Sequence, residues 1–449
     1  MLASAPLHLR DETRATKRKP RMKRLPACLV LLIIGAVSTP VAAQRLPVQV
    51  QLPGLVGQVG DRVPGILDRT SGTLRELRVD QLLRQHRREL DTDAEGAPVV
   101  RGELLAIDPS PEALERARAA GFRVLRESQL AELELRMVVL AAPGNMRARA
   151  ALRRLSRIDP AGQFDYNHVY LGAGAPAVAT ENLAATPVIA AASLGITPVR
   201  VGLVDSGVQA AHASLAGVDV RSWGCNGTAH PDAHGTAVAS LLAGAPRPGR
   251  TQGIPGKDVL FAADIYCGAP TGGAVTGLAQ ALAWLAGERV AVINLSLVGP
   301  PNALLERLVT QLQKRGHVLV AAVGNDGPAA PPLYPAAYPG VIGVTAVDGR
   351  GRVLPEAGTG AHVDVAAPGL ALHAATHDDG WKTVRGTSFA APLVARRIAG
   401  SAAVPTPGLS ASTVSWLERV AIDAGHPGRD ARYGAGVIGV GDHLLWQAR

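Results

Sequence analysis

Three short stretches carry side chains able to do acyl-transfer chemistry. Gly386-Thr387-Ser388-Phe389-Ala390-Ala391-Pro392 reads as a loop-to-helix junction with a serine at its tip. The first backbone N–H groups of a helix lack intrahelical partners and can receive an oxyanion. A glycine before the serine allows a tight turn, and small alanines after it let the helix pack closely. Pro392 is tolerable only near the start of such a helix, where its missing N–H costs little. Val201-Gly202-Leu203-Val204-Asp205-Ser206-Gly207 is a short apolar run ending in a carboxylate and a glycine turn. A buried parallel strand ends this way at the carboxyl edge of a sheet, where α/β active sites lie. His234-Gly235-Thr236-Ala237-Val238-Ala239-Ser240 sets a histidine at the head of a small-residue helix. A serine hydroxyl is nearly inert at neutral pH without a base. His234 could take its proton and return it to a leaving amine, while Asp205 fixes the imidazole tautomer and stabilises the imidazolium. Taken singly, each residue has a bland account: Asp205 and Ser388 as caps, His234 as a core histidine. Their joint presence points to a nucleophilic hydrolase.

Asp, His and Ser in this order and context resemble the subtilisin-like (S8) serine peptidases. Asp205-Ser206-Gly207-Val208, followed by His212 and Leu215, is similar to the family's aspartate motif, with His212 read as structural. Ala321-Ala322-Val323-Gly324-Asn325-Asp326-Gly327 resembles the segment that carries the oxyanion asparagine, so four motifs fall in order over about 190 residues. The resemblance implies an oxyanion site made by the Asn325 side-chain amide and the Ser388 backbone N–H. In isolation Asn325 before Asp-Gly is an ordinary turn asparagine. Asn294-Leu295-Ser296-Leu297-Val298-Gly299-Pro300 resembles the strand on which an extended substrate pairs by strand addition. Ser296, Leu297, Val298 and Gly299 are therefore expected to bind substrate. Val298 stands where the family usually has glycine, and so does Leu333 before Tyr334-Pro335. Both add bulk beside the residue preceding the scissile bond (P1). The expectation is a shallow pocket favouring small residues such as alanine, with Asp326 at its rim.

The implied activity is that of a serine endopeptidase working through an acyl-enzyme on polypeptide substrates, with no cofactor. His230, Asp232 and His234 make a poor metal constellation. Bound calcium is frequent in the family, yet no carboxylate cluster here assigns a site, so no metal is expected. A non-catalytic binding protein on the same fold would have no need of all four polar residues. An esterase with the same machinery is disfavoured by the peptide-binding strand and the segment that precedes the catalytic part.

At 449 residues and a net charge of +9, the chain is longer than a usual single domain. Residues 1–24 carry eight Lys/Arg against Asp11 and Glu12, leaving about +3 for the remainder. No aromatic-studded basic patch accompanies that charge, so nucleic acid is rejected as a partner. Met22-Lys23-Arg24, an apolar run over Ala27–Val37, and Val41-Ala42-Ala43 describe a secretory signal cleaved after Ala43 in a leader spanning 1–43, with Met22 the expected start. The rival, an uncleaved membrane anchor, would need roughly 20 apolar residues, and no stable membrane span is expected. The destination is periplasmic, extracellular or the cell surface. After removal of Cys28, Cys225 and Cys267 remain, an even number in an oxidising compartment. A disulfide between them would contribute roughly 3–4 kcal/mol; two separate buried thiols are the alternative.

The elements that must position this chemistry follow. Residues 44–98 form a linker ending in a basic helix with Leu74, Leu77, Leu82 and Leu83, read as a solvated linker helix in preference to a membrane-surface one. Residues 99–172 run β-α-β-β-α-β, the split ferredoxin-like order, with Ser110-Pro111 opening the first helix and Gly121 closing it. A small α+β domain in this position resembles the family's inhibitory propeptide, which implies a foldase acting as an intramolecular inhibitor. Residues 173–195 are dominated by Ala, Gly and Pro and are expected to contain the self-processing bond. From 196 to 449, apolar runs alternate with helical stretches, the doubly wound pattern of an α/β domain. The resemblance makes it a subtilisin-like three-layer domain with a mostly parallel central sheet, closed by Asp430–Gly436.

Overall fold

The structure is a computed structural model that describes residues 76–173, 199–243 and 258–439. The expected signal peptide, and the processing linker beyond Ala173, lie outside the described residues.

The centre of the large unit is a seven-stranded sheet in the order β14-β13-β12-β10-β6-β8-β7, built from β6 (Arg200–Asp205), β7 (Asp219–Trp223), β8 (Val259–Asp264), β10 (Val292–Leu295), β12 (Val318–Ala322), β13 (Ile342–Val347) and β14 (Val365–Pro368). All six pairings are parallel. Side chains alternate across a strand. Leu203, Leu260, Val292 and Val320 therefore pack on one face with α4 (Ala233–Leu242) and α7 (Thr387–Ala399). Phe261, Ile293 and Leu319 pack on the other with α5 (Val275–Gly287) and α6 (Ala303–Lys314). Both faces are covered, which is why these strands read as unbroken apolar runs. The expected runs land on β6, β8, β10, β12 and β13. The less apolar β7 and the hairpin of β15 (Leu370–Ala375) and β16 (Trp381–Arg385) had no such signal.

The smaller unit is an antiparallel sheet of β2 (Pro98–Ile107), β3 (Arg123–Leu130), β4 (Leu135–Ala141) and β5 (Gln163–Gly172), ordered β5-β2-β4-β3. Its helices are α2 (Pro111–Ala119) and α3 (Ala148–Ile158). Ser110 caps α2 by accepting from the Ala113 N–H at 3.1 Å, and the chain turns at Gly121 with φ +87°. Helix α3 begins at Ala148, and a short β1 (Leu90–Thr92) pairs with β2. The folded unit therefore reaches back to Leu90, ahead of Val99. Leu104, Ala106, Val138 and Leu140 bury under α2 and α3. Leu105, Ile107, Met137 and Val139 point the opposite way, into the same core as α5 and α6 of the large unit. A small sheet with two apolar faces must bury both, and the large unit covers the second.

The described part of the 44–98 stretch contains a helix over 76–85, α1. Among the described residues no helix is long and apolar enough to cross a membrane.

Candidate active site

Asp205 is the last residue of β6 and lies at the carboxyl edge of the sheet, 1% exposed. Its Oδ1 accepts from His234 Nδ1 at 2.7 Å and from the Ser206 N–H at 2.7 Å. His234 is the second residue of α4, whose cap is Asp232; the Asp232 carboxylate accepts from the His234 N–H at 2.8 Å. Ser206 joins the two motifs, donating its hydroxyl to Asp232 at 2.9 Å while accepting from the Gly235 N–H at 2.9 Å. Gly235 is required there, because a Cβ would fall on the Ser206 carbonyl. Burial works against a charged imidazole, but the charge and hydrogen bond of Asp205, with Asp232 adding, outweigh it and raise the His234 pKa.

Ser388 is the second residue of α7, entered through Gly386 at φ +128°. Its side chain is fully buried beside the His234 motif, with Phe389 5.6 Å from the imidazole between ring centres. Among the described residues neither Ser388 Oγ nor His234 Nε2 has a hydrogen-bond partner. Buried polar atoms are seldom left so, and the hydrogen bond between base and nucleophile commonly tightens only around a reacting substrate. Pro392 is the sixth residue of α7, so it cannot donate to the Ser388 carbonyl four residues back. Ser296 Oγ donates to that carbonyl instead, at 2.9 Å, and itself accepts from Asn294 Nδ2 at 2.9 Å. The Ser296 side chain thus supports the serine helix, while its backbone carbonyl accepts from the Ala173 N–H at 3.1 Å.

The end of β5 lies in the cleft as an extra strand. It pairs antiparallel with β11 (Leu297–Val298) through Leu297 with Gly172 and Val298 with Leu171. On its other side it pairs with β9 (Gly273–Ala274). The next carbonyl, that of Ala173, accepts from Asn325 Nδ2, while Asn325 Oδ1 accepts from the Thr387 N–H at 3.1 Å. Asn325 therefore links the end of β5 to the first turn of α7.

The subtilase family pattern matches residues 197–436. Subtilisin DY of Bacillus licheniformis is 31% identical over 251 residues, spanning 54% of this chain and 89% of that protein. Subtilisin BL of Lederbergia lenta is 32% identical over 244 residues, 54% of this chain and 88% of that one. Among solved structures, fervidolysin from Fervidobacterium pennivorans, a keratinolytic enzyme related to subtilisin, shares the fold with a TM-score of 0.61 at 19% identity, over 76% of this chain and 60% of that one. The chain belongs to the subtilase family. Its members, the subtilisins, are serine endopeptidases, and that activity holds for this chain.

The remaining expected residues of this subtilase are placed as follows. Val298 and Leu333, each 6% exposed, share one apolar cluster with the buried Ala173. At Gly324 an added Cβ would come within 2.6 Å of the Leu333 side chain. Leu297 turns its side chain away into the α5/α6 core. Gly299 lies under the ring of Tyr170. Asp326, Asn325 and Val298 line a small pocket together with the end of β5 and with Arg78 and Val79 of α1. Helix α1 is exposed along most of its length, with Val79, Leu82 and Leu83 half-buried. His212 Nδ1 accepts from the Ser214 N–H, and its Nε2 lies 3.0 Å from the Gly380 carbonyl in the β15–β16 turn. Cys225 and Cys267 are joined by a disulfide.

Sequence reasoning missed the supporting groups: Ser206, Asp232, Asn294 and the second strand edge at β9. Asp232 was findable, since an aspartate directly before a helix start is a cap. Strand β9, two residues long, carries no periodic signal.

Proposed function

We propose that this subtilase is exported and made as a self-processing zymogen in which residues 90–173 are the inhibitory propeptide. Ser388 is the nucleophile, His234 the general base and then acid, and Asp205 the group that holds the imidazole tautomer. Asn325 and the Ser388 backbone N–H receive the oxyanion. The observation that carries this reading is the end of β5, laid between β11 and β9 with the Ala173 carbonyl on Asn325. A docked inhibitor that mimics substrate leaves the cleft filled in this way.

The docking is also electrostatic. The first N–H groups of α5 and α6 lack intrahelical partners. Asn167 Oδ1 accepts from the Thr276 N–H at 3.4 Å, and Asp165 Oδ2 from the Ala303 N–H at 2.6 Å. The propeptide thus caps two helices of its partner, which suits a foldase. Val298 lines the same cleft as Ala173, and Val298 and Leu333 both lie near Gly324, next to Asn325, which supports a P1 preference for small residues.

Two measurements test this. Wild type and Ser388→Ala are expressed in full and their N-termini sequenced; processing in the wild type alone is expected, and processing in both would refute self-maturation. A peptide library on the mature enzyme should show Ala or another small residue at P1. A profile dominated by Phe, Leu or Lys would refute the shallow pocket.

A further inference from the structure

Asn325 and Ser388 stand on separate elements, and a ring of contacts ties them together. Asn325 Oδ1 accepts from the Thr387 N–H at 3.1 Å, which fixes the way the amide faces and leaves Nδ2 toward the Ala173 carbonyl. At the other end of the same turn, Gly327 donates its N–H to the Glu356 carbonyl at 2.8 Å. The Gly358 N–H donates to the Gly324 carbonyl at 3.0 Å, so residues 356–358 bracket Asn325 and Asp326 from both ends. The bracket is close-packed: a Cβ added at Gly358 would lie 3.0 Å from the Val323 carbonyl. The Glu356 side chain then crosses to β16, where Arg385 Nη2 donates to its Oε2 at 2.7 Å and Arg385 Nε to its Oε1. Arg385 stands three residues before Ser388, and Gly386 and Thr387 close the ring.

The Arg385–Glu356 pair is the one link of this ring made by two side chains. We infer that Arg385 and Glu356 are positioning residues for acyl transfer, a fork that holds the Asn325 amide in register with Ser388. The inference rests on the oxyanion role given to Asn325 above. When Ser388 Oγ adds to a carbonyl carbon, the carbonyl oxygen becomes an anion and moves, and a useful donor must already lie about 2.7–3.1 Å from its new place. A misplacement of about 1 Å can cost about 10²-fold in rate. The Arg385 side chain is 40% exposed, so the charge of the pair adds little to stability. Two parallel N–H to oxygen bonds do fix an angle as well as a distance. Without them the bracket loses its tie to β16, and the amide rests on the Thr387 bond. The donor is then displaced rather than deleted, so the expected cost is about 10-fold, below the 10²–10³ of losing it outright.

The test is a double-mutant cycle on the self-processing rate of the full-length chain: wild type, Glu356→Gln, Asn325→Ala and the two combined. Arg385→Met breaks the pair from the other side and carries the same cycle if Glu356→Gln misfolds. Each break should slow processing about 10-fold, yet by less than about 2-fold once Asn325 is alanine. On the mature enzyme, with succinyl-Ala-Ala-Ala-p-nitroanilide as substrate, Glu356→Gln should lower kcat about 10-fold and leave KM within about 2-fold. A pair that merely anchors the β15–β16 hairpin would slow both backgrounds alike. That result, an unchanged kcat, or a loss in Arg385→Met without one in Glu356→Gln overturns the inference, the last because the arginine charge would then act by itself. Should the wild-type chain remain unprocessed, the zymogen reading fails, and the same cycle run with the p-nitroanilide on the full chain decides the inference. Asn325→Ala working at the wild-type rate sinks the oxyanion reading and the inference together. A slow Asn325→Ala with independent losses sinks the inference alone.

Discussion

Replacing Ser296 by alanine tests how the serine helix is held. Pro392 deprives the Ser388 carbonyl of its helical donor, and Ser296 Oγ supplies one at 2.9 Å. Both residues are fully buried. Ser296→Ala leaves that carbonyl and Asn294 Nδ2 each short of a partner. At about 1–3 kcal/mol for each unsatisfied buried group, with partial relaxation, the expected loss is about 3 kcal/mol. In a unit of this size that is roughly 6–12 °C in the unfolding midpoint. The measurement is best made on the Ser388→Ala background, which prevents self-digestion and leaves the carbonyl intact. Pro392→Ala provides the decisive arm, because it restores an N–H four residues on. Ser296→Ala should then cost much less, giving a coupling of about 1–2 kcal/mol in the double-mutant cycle. Losses that add within about 0.5 kcal/mol would refute the argument that serine substitutes for the proline's missing donor.

Four further outcomes are expected. Because Asp205 and Asp232 raise the His234 pKa and Lys382 lowers it, the acid limb of kcat/KM should lie above the ordinary histidine value of 6.5. Lys382→Met should move it higher still, and a shift to lower pH would contradict this. The same raised value makes the imidazolium's contribution to stability complete below about pH 6.5 and lost as pH rises through the folded-state pKa. Asn325→Ala should slow self-processing by about 10²–10³, a magnitude taken over from a subtilisin and not computed from these contacts; a change under 10-fold would remove Asn325 from the oxyanion site. Arg396, 2% exposed, donates to the Leu242 carbonyl at 3.1 Å and lies 3.5 Å from the buried Asp258. Arg396→Met strands that carboxylate and should cost about 3–5 kcal/mol, while Arg396→Met with Asp258→Asn should recover part of it. Equal losses in urea unfolding of the single and double variants would refute the pairing.

The positions of the four polar residues in the fold were legible because each sits at a junction with its own local chemistry. Asp205 closes an apolar strand, His234 and Ser388 open small-residue helices, and Asn325 follows a strand and a glycine. The β-α-β-β-α-β order of the small domain was legible as well, but that both faces of its sheet are covered was not. Local pattern fails where the partner is distant in sequence. Ser296 reads as part of a substrate strand, yet its hydroxyl answers a defect made by Pro392, 96 residues later.

By itself the sequence determined the chemistry: which side chains occur, in which order, at the ends of which elements. Those follow from hydrophobic period and capping, which act over a few residues. The tertiary structure alone decided that the Ala173 carbonyl meets Asn325 and that Tyr170 fills the space over Gly299. Such contacts depend on one sheet docking on two helices and on the register between strands far apart in the chain, which no local propensity encodes.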